Sequence, residues 1–299
     1  MCWPLSGGEG INGSLAFGCM VANNVSVSLI EMQDDVVHVA KAVRPRVIAI
    51  GASNLTRWLS LLVRIAVADS ASPVEVLAVA GYGRSYGVSS RFFGRELPGI
   101  KACGVWDALG ASVGRSGLRE QSTGIVTDVG NDIFYGVEVA TVLGWVEQAL
   151  IRLRPHVERL VLTGLPASVA DIGRVRFEVI RRILVPSCRL EHAEGLRRAE
   201  ELNAGLLALA DKHGAVSFQG HRDWYGWDRI HLKRGYWRPF VERLLGVDSA
   251  ARERIPALPR LLGSGMRLAA PEFKRSFGRD KSTVQPSVCL PDGTTVALY

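Results

Sequence analysis

Arg46-Val47-Ile48-Ala49-Ile50-Gly51-Ala52-Ser53-Asn54-Leu55 is the stretch whose reading decides the fold. Arg46–Ile50 is a short apolar run rich in Val and Ile, which reads as a buried strand. It stops at Gly51, and an amphipathic segment, Leu55–Ala68, begins at once. Ser53 therefore stands at a strand-to-helix turn, where unpaired backbone N–H groups and the positive end of the helix dipole converge. Two readings of Ser53 follow. A serine here commonly caps a helix. It is also where a nucleophile would form its oxyanion beside its own N–H. The turn alone does not separate them.

Beyond residue 46 the chain alternates between two periods. Strand-like runs are Arg46–Ile50, Val74–Ala80, Gly124–Val129, Arg159–Gly164 and Ala215–Phe218. Helix-like stretches are Leu55–Ala68, Val137–Arg154, Ile172–Leu184, Ala193–His213 and Arg234–Leu245, with Pro155 and Gly214 placed where two of them should stop. Five strands separated by helices imply right-handed crossovers and a parallel sheet covered on both faces, an α/β fold. In such sheets a ligand sits at the carboxyl ends of the strands. Gly81–Thr123 is a long connection containing Phe92, Phe93 and Trp106, of the kind that forms lids or binding walls.

The 299 residues suffice to bury a sizeable core, and 47% hydrophobic with 22% charged residues is ordinary for a globular protein. The net charge of +7 comes mostly from scattered Arg, which reads as a solvated face rather than a nucleic-acid stripe. Cys2, Cys19, Cys103, Cys188 and Cys289 form no CxxC pair, so neither a zinc motif nor a dense disulfide framework is expected. No apolar run has the length of a membrane span.

Three parts are expected. Residues 1–45 form an N-terminal extension, disordered or not native; 46–248 form the main α/β domain; 249–299 form a C-terminal extension. Ser14–Met20 is small and apolar but lacks a preceding Lys or Arg, so a signal peptide is not expected and the cytoplasm is the expected location. A natural start at Met20 or Met32 is one reading of this region, decided by intact mass. Residues 249–272 read as a surface wrap, and Val288–Leu298 reads as a hairpin around Asp292-Gly293.

Chemistry-bearing residues gather after the strands. The second strand runs into Gly81-Tyr82-Gly83-Arg84-Ser85-Tyr86-Gly87, where backbone can approach a ligand closely. The third ends at Gly130-Asn131-Asp132, and the fifth precedes Asp228-Arg229-Ile230-His231. Three residues apart, Asp228 and His231 can meet within one turn of chain. A carboxylate on Nδ1 would then fix the tautomer and leave Nε2 to take a proton from a serine. Each piece has a plainer reading: a turn for Gly130-Asn131-Asp132, a cap or surface pair for Asp228 and His231. Gly81-x-Gly83-x-x-x-Gly87 misses the dinucleotide-loop spacing. His221, Asp223, Asp228 and His231 meet no strict metal-ligand spacing. Trp224, Tyr225, Trp227, Tyr236 and Trp237 could stack bases, or simply form an aromatic rim or core.

In order and placement these pieces resemble the SGNH (GDSL-like) hydrolase family. The matching blocks are Gly51-Ala52-Ser53-Asn54-Leu55, Gly83-Arg84-Ser85, Gly130-Asn131-Asp132-Ile133 and Asp228-Arg229-Ile230-His231-Leu232, with Gly81 a rival for the glycine position. The resemblance spans residues 46 to about 246. One departure stands out: the family's Asp before the nucleophile is Ala52 here, so the turn should lose a carboxylate and its hydrogen bonds.

The resemblance implies a flavodoxin-like three-layer α/β/α fold with a five-stranded parallel sheet of order 2-1-3-4-5. It implies ester hydrolysis through an acyl-enzyme, with Ser53, Asp228 and His231 catalytic and an oxyanion hole from Ser53, Gly83 and Asn131. No cofactor or metal is required, and the expected partner is a small-molecule, carbohydrate or lipid ester. An acyltransferase using the same residues, or a non-catalytic binding protein on the same scaffold, are the alternatives.

Overall fold

The elements of this computed structural model follow the two periods of the sequence. Its described residues are 44–111, 121–247 and 270–299. The expectations for residues 1–43, including a start at Met20 or Met32, and for most of the 249–272 wrap lie outside them. β1 (Arg46–Ile50) runs into α1 (Ser53–Asp69), and β2 (Glu75–Val79) follows. Next come β3 (Ser90–Phe92), β4 (Arg95–Leu97) and α2 (Val105–Gly110). β5 (Ser122–Val126) leads to α3 (Asn131–Phe134) and α4 (Val139–Leu153), and β6 (Arg159–Thr163) to α5 (Arg174–Leu184) and α6 (His192–Lys212). After β7 (Val216–Phe218) and α7 (Trp237–Leu245) come β8 (Phe273–Ser276), β9 (Arg279–Ser282), β10 (Val288–Cys289) and β11 (Thr295–Leu298).

The main sheet has seven strands in the order β10-β11-β2-β1-β5-β6-β7. All neighbours run parallel except β10 and β11. The expected five-stranded sheet is thus corrected to seven: the hairpin around Asp292-Gly293 adds two strands beyond β2. β11 pairs with β2 from Thr295↔Glu75 to Leu298↔Ala78, and Val74 N–H donates to Thr294 Oγ1 at 3.0 Å across 220 residues of sequence. A partner so distant leaves no local signal in either strand.

Alternation along β1 sorts the core into two halves. Val47 and Ala49 face α1 and α7, where Leu55, Trp58, Leu62 and Phe240 are buried. Ile48 and Ile50 face the other way, against a core that includes Val142 and Val146 of α4 and Leu202 and Leu206 of α6. Helices therefore cover both faces. Among the described residues Trp58 is the largest fully buried side chain, and truncating such a residue to Ala costs about 3–5 kcal/mol.

The Gly81–Thr123 connection has structure of its own. It carries β3, β4 and α2, and β3 and β4 join β8 and β9 in a second, antiparallel sheet of order β3-β4-β8-β9. Among the described residues no helix is long and apolar enough to cross a membrane.

Candidate active site

Ser53 is the first residue of α1, and Ala52 occupies the cap position without a side-chain hydrogen bond. The capping reading of Ser53 is therefore set aside. Its Oγ lies 2.8 Å from His231 Nε2, across 178 residues of sequence. His231 Nδ1 lies 2.6 Å from Asp228 Oδ2. The other carboxylate oxygen of Asp228 accepts the backbone N–H groups of Ile230 at 3.1 Å and His231 at 2.9 Å. Burial would raise the Asp228 carboxyl, but the His231 side chain and these two N–H groups outweigh it and hold the group at about 2. Asp228 is thus an anion at neutral pH, and it fixes the imidazole ring.

Asp228 and His231 do not lie on a helix. Tyr225 bridges Leu232 in antiparallel fashion, Gly226 N–H donates to the His231 carbonyl at 2.8 Å, and Arg229 takes φ +63° at the tip. Ser168 Oγ donates to the Arg229 carbonyl at 2.6 Å and ties this tight loop to the segment after β6.

Asp128, outside the motif blocks, and Asn54, which stands in the first block without an assigned role, join the loop to α1. Asn54, beside Ser53, donates to the Ile230 carbonyl at 3.2 Å and accepts Leu232 N–H at 3.0 Å. Its amide also donates to Asp128 Oδ1 at 3.0 Å. Asp128 Oδ2 accepts the N–H groups of Ala52 at 3.1 Å and Leu55 at 2.9 Å. The expected loss of a carboxylate at the nucleophile turn is therefore corrected. The acid absent at position 52 arrives from the end of β5, and it satisfies the helix N-terminus that Ala52 cannot cap. The signal for it was an Asp two residues before the Gly-Asn-Asp block, at a position that takes φ +57°, which Asp tolerates better than most residues.

Gly83 and Asn131 belong to one hydrogen-bonded assembly. Gly83 has φ +66° and lies at the third position of a turn closed by Arg84 N–H on the Gly81 carbonyl at 3.2 Å; that position favours glycine. Gly81 is glycine for another reason, since a Cβ there would lie 2.4 Å from Leu97 Cδ1. Asn131 Nδ2 donates to the Arg84 carbonyl at 3.0 Å. Asp132, fully buried, accepts the Ser85 hydroxyl and the Tyr86 N–H. Tyr135 Oη donates to the Gly83 carbonyl at 2.8 Å. Burial and the Asp132 carboxylate push that phenol up to about 12, so it stays a donor. Arg84 is buried and donates to the carbonyls of Ala80, Pro98 and Tyr299, which ties this loop to the end of β11.

A pocket opens beside Ser53 and Asn131, walled by Ile133, Phe134, Leu165, Val169, Ile172 and Phe177. Its wall is almost entirely apolar. Of the four residues weighed as metal ligands, Asp228 and His231 sit at Ser53, while His221 and Asp223 pair at 3.4 Å on the surface. Among the described residues no group of three or more His, Cys, Asp or Glu gathers as a metal site. Trp224 and Tyr236 of the aromatic cluster are packing: Trp224 stacks on Tyr236 at 5.6 Å and meets Phe218 and Phe240 edge-on, whereas Trp227 is exposed with Arg176 over its ring.

Several solved structures are similar to this one. The solved chains it resembles include esterases. The psychrotrophic esterase EstA from Pseudoalteromonas sp. is 12% identical, with 67% of this chain and 94% of that one covered and a TM-score of 0.39. TesA is 14% identical, with 69% and 99% covered and a TM-score of 0.41. Axe2, an acetylxylan esterase from Geobacillus stearothermophilus, is 9% identical, with 69% and 96% covered and a TM-score of 0.38. No family model matches the chain, and no curated protein does.

Proposed function

We propose that this chain is a serine hydrolase of carboxylic esters, working through an acyl-enzyme on a flavodoxin-like frame. The observation that carries the reading is the continuous line from Ser53 Oγ through both ring nitrogens of His231 to the Asp228 carboxylate, at 2.8 and 2.6 Å. That line has the polarity a nucleophilic hydroxyl needs: an acceptor nitrogen on the serine and an anion behind the ring to stabilise its protonated form.

In the proposed first step Ser53 Oγ attacks the ester carbonyl while His231 Nε2 takes its proton. The tetrahedral oxyanion is held by the N–H groups of Ser53 and Gly83 and by Asn131 Nδ2. The Asn131 amide has two hydrogens, and the one given to Arg84 leaves the other for the oxyanion. His231 then protonates the leaving alkoxide, which departs as the alcohol. Water, deprotonated by the same nitrogen, attacks the acyl-enzyme; collapse of the second oxyanion breaks the Ser53 ester bond, His231 Nε2 returns the proton to Ser53 Oγ, and the acid is released. The apolar pocket beside Ser53 supports an aliphatic acyl group over a sugar or charged one on that side of the scissile bond. The reading requires no cofactor.

The test is hydrolysis of a series of 4-nitrophenyl esters of increasing acyl length by the wild type and by Ser53→Ala. The wild type should turn them over, and the variant should lose that turnover with its circular dichroism unchanged. Activity persisting in a clean Ser53→Ala preparation would assign the nucleophile elsewhere.

A further inference from the structure

The second sheet ends in two turns of the same unusual composition. β3 and β4 are joined through Phe93-Gly94, and β8 and β9 through Phe277-Gly278. In each turn both residues have positive φ: 46° and 73° in the first, 48° and 79° in the second. Such turns ordinarily take Asn, Asp or Gly first, because a bulky side chain is strained there. Both phenylalanines are nonetheless held there and thrust into solvent, 81% and 86% exposed.

The two turns are neighbours. β4 and β8 pair antiparallel with Arg95 opposite Ser276, which brings both turns to one end of the sheet. Phe277 N–H donates to the Gly94 carbonyl at 2.8 Å, and the Phe277 ring lies where a Cβ on Gly94 would be, 2.5 Å away. Behind the tips, Phe93 meets Phe92 edge-on at 4.5 Å, and Phe92 stacks on Tyr82 at 5.7 Å, next to Gly83. Around them the four strands carry Arg91, Arg95, Lys274, Arg275, Arg279 and Lys281 against only Glu96 and Asp280. Those two acids are occupied by Arg91 at 3.0 Å and Arg275 at 2.6 Å.

We propose that this sheet end docks the protein on an anionic lipid surface. Phe93 and Phe277 enter the apolar layer, and the surrounding Arg and Lys side chains meet the headgroup phosphates. Charge complementarity favours an anionic partner, and the aromatic chemistry narrows it. Phe has no polar atom to keep in water, unlike the Tyr and Trp of sugar platforms. The rings project from turns rather than lying in a groove on the sheet face, where bases would stack. Apolar tips beside cations are the makings of an interfacial anchor. The inference does not depend on the chemistry at Ser53.

Flotation of the full chain with phosphatidylcholine vesicles, with and without phosphatidylglycerol, tests it. The wild type should float with the anionic vesicles, stay behind with the neutral ones, and detach as salt rises. Phe93→Asn together with Phe277→Asn places the residue such turns favour, so thermal stability should hold or rise while vesicle binding falls about tenfold or more. Arg279→Gln with Lys281→Gln should weaken binding to the anionic vesicles. No flotation of the wild type at low salt, or equal flotation of the Asn double variant, would overturn the proposal. So would retention on single-stranded nucleic acid, or a dimer, that the Asn double variant loses while neither protein binds vesicles.

Discussion

At the scale of single residues, the candidate site depends on two side chains that touch no substrate in the proposed reaction. Asp128 binds the N–H groups of Ala52 and Leu55 on either side of Ser53, and Asn54 binds both Asp128 and the loop of His231. Asp128→Ala should destabilise the protein by about 1–3 kcal/mol through the lost cap and orphaned donors. Ester turnover should fall mainly in kcat, since the turn that aims Ser53 is loosened; a loss confined to KM would deny it that positioning role. Asn131→Ala should lower kcat roughly a hundredfold with little change in KM, because in the proposed reaction its donor acts chiefly on the transition state. Acid stability gives a further check. The folded Asp228 carboxyl is held at about 2, below its ordinary 3.8, so its contribution is full above pH ~4 and is lost as pH falls towards ~2. Asp228→Asn should flatten that part of an acid-unfolding curve. Ser53, Gly83, Asn131, Asp228 and His231 could be singled out because their residue types stand in a fixed order after successive strands. The parts played by Asp128 and Asn54 could not, because a carboxylate and an amide that bind each other and backbone N–H and C=O groups 73 to 178 residues away leave no local pattern.

At the scale of elements, the pocket walls come from short pieces between strands and long helices. Ile133 and Phe134 belong to α3, Val169 to the segment after β6, and Phe177 to α5. α3 has only four residues and begins at Asn131 itself, directly after Gly130, too short for a periodic pattern to announce it. Val169 is only partly buried, so a larger side chain there should narrow the pocket without disrupting the core. Val169→Trp should leave kcat/KM for an acetyl ester nearly unchanged and reduce it about tenfold or more for a long-chain ester. Parallel losses on both substrates would argue that the acyl group binds elsewhere. The five sequence-read strands and the long helices were legible to within a few residues, since each carries its own hydrophobic period. The β3–β4 pairing was hidden because three-residue strands in a Gly-rich connection carry too little alternation to register.

At the scale of the whole molecule, residues 270–299 are what local patterns could least place. The Asp292-Gly293 turn was readable from composition, but its docking beside β2 was not. Val296 is fully buried against β2, and Arg84, in the loop proposed to hold the oxyanion, donates to the Tyr299 main chain. Deleting residues 288–299 should therefore open the β2 edge and unfix the Gly83 loop together, seen as lower solubility and a loss of thermal stability well beyond that of Asp128→Ala. A truncated protein of unchanged stability would make β10 and β11 dispensable. The charge and the aromatic tips of the second sheet act at this scale too, since they orient the entire molecule towards a surface. The central claim, however, rests on Ser53, and covalent labelling with a fluorophosphonate followed by peptide mass mapping reaches it most directly. One adduct on the peptide containing Ser53, much slower to form in His231→Ala, is the predicted result. A folded wild type that takes no label, or takes it on another serine at the same rate in both proteins, would contradict the account.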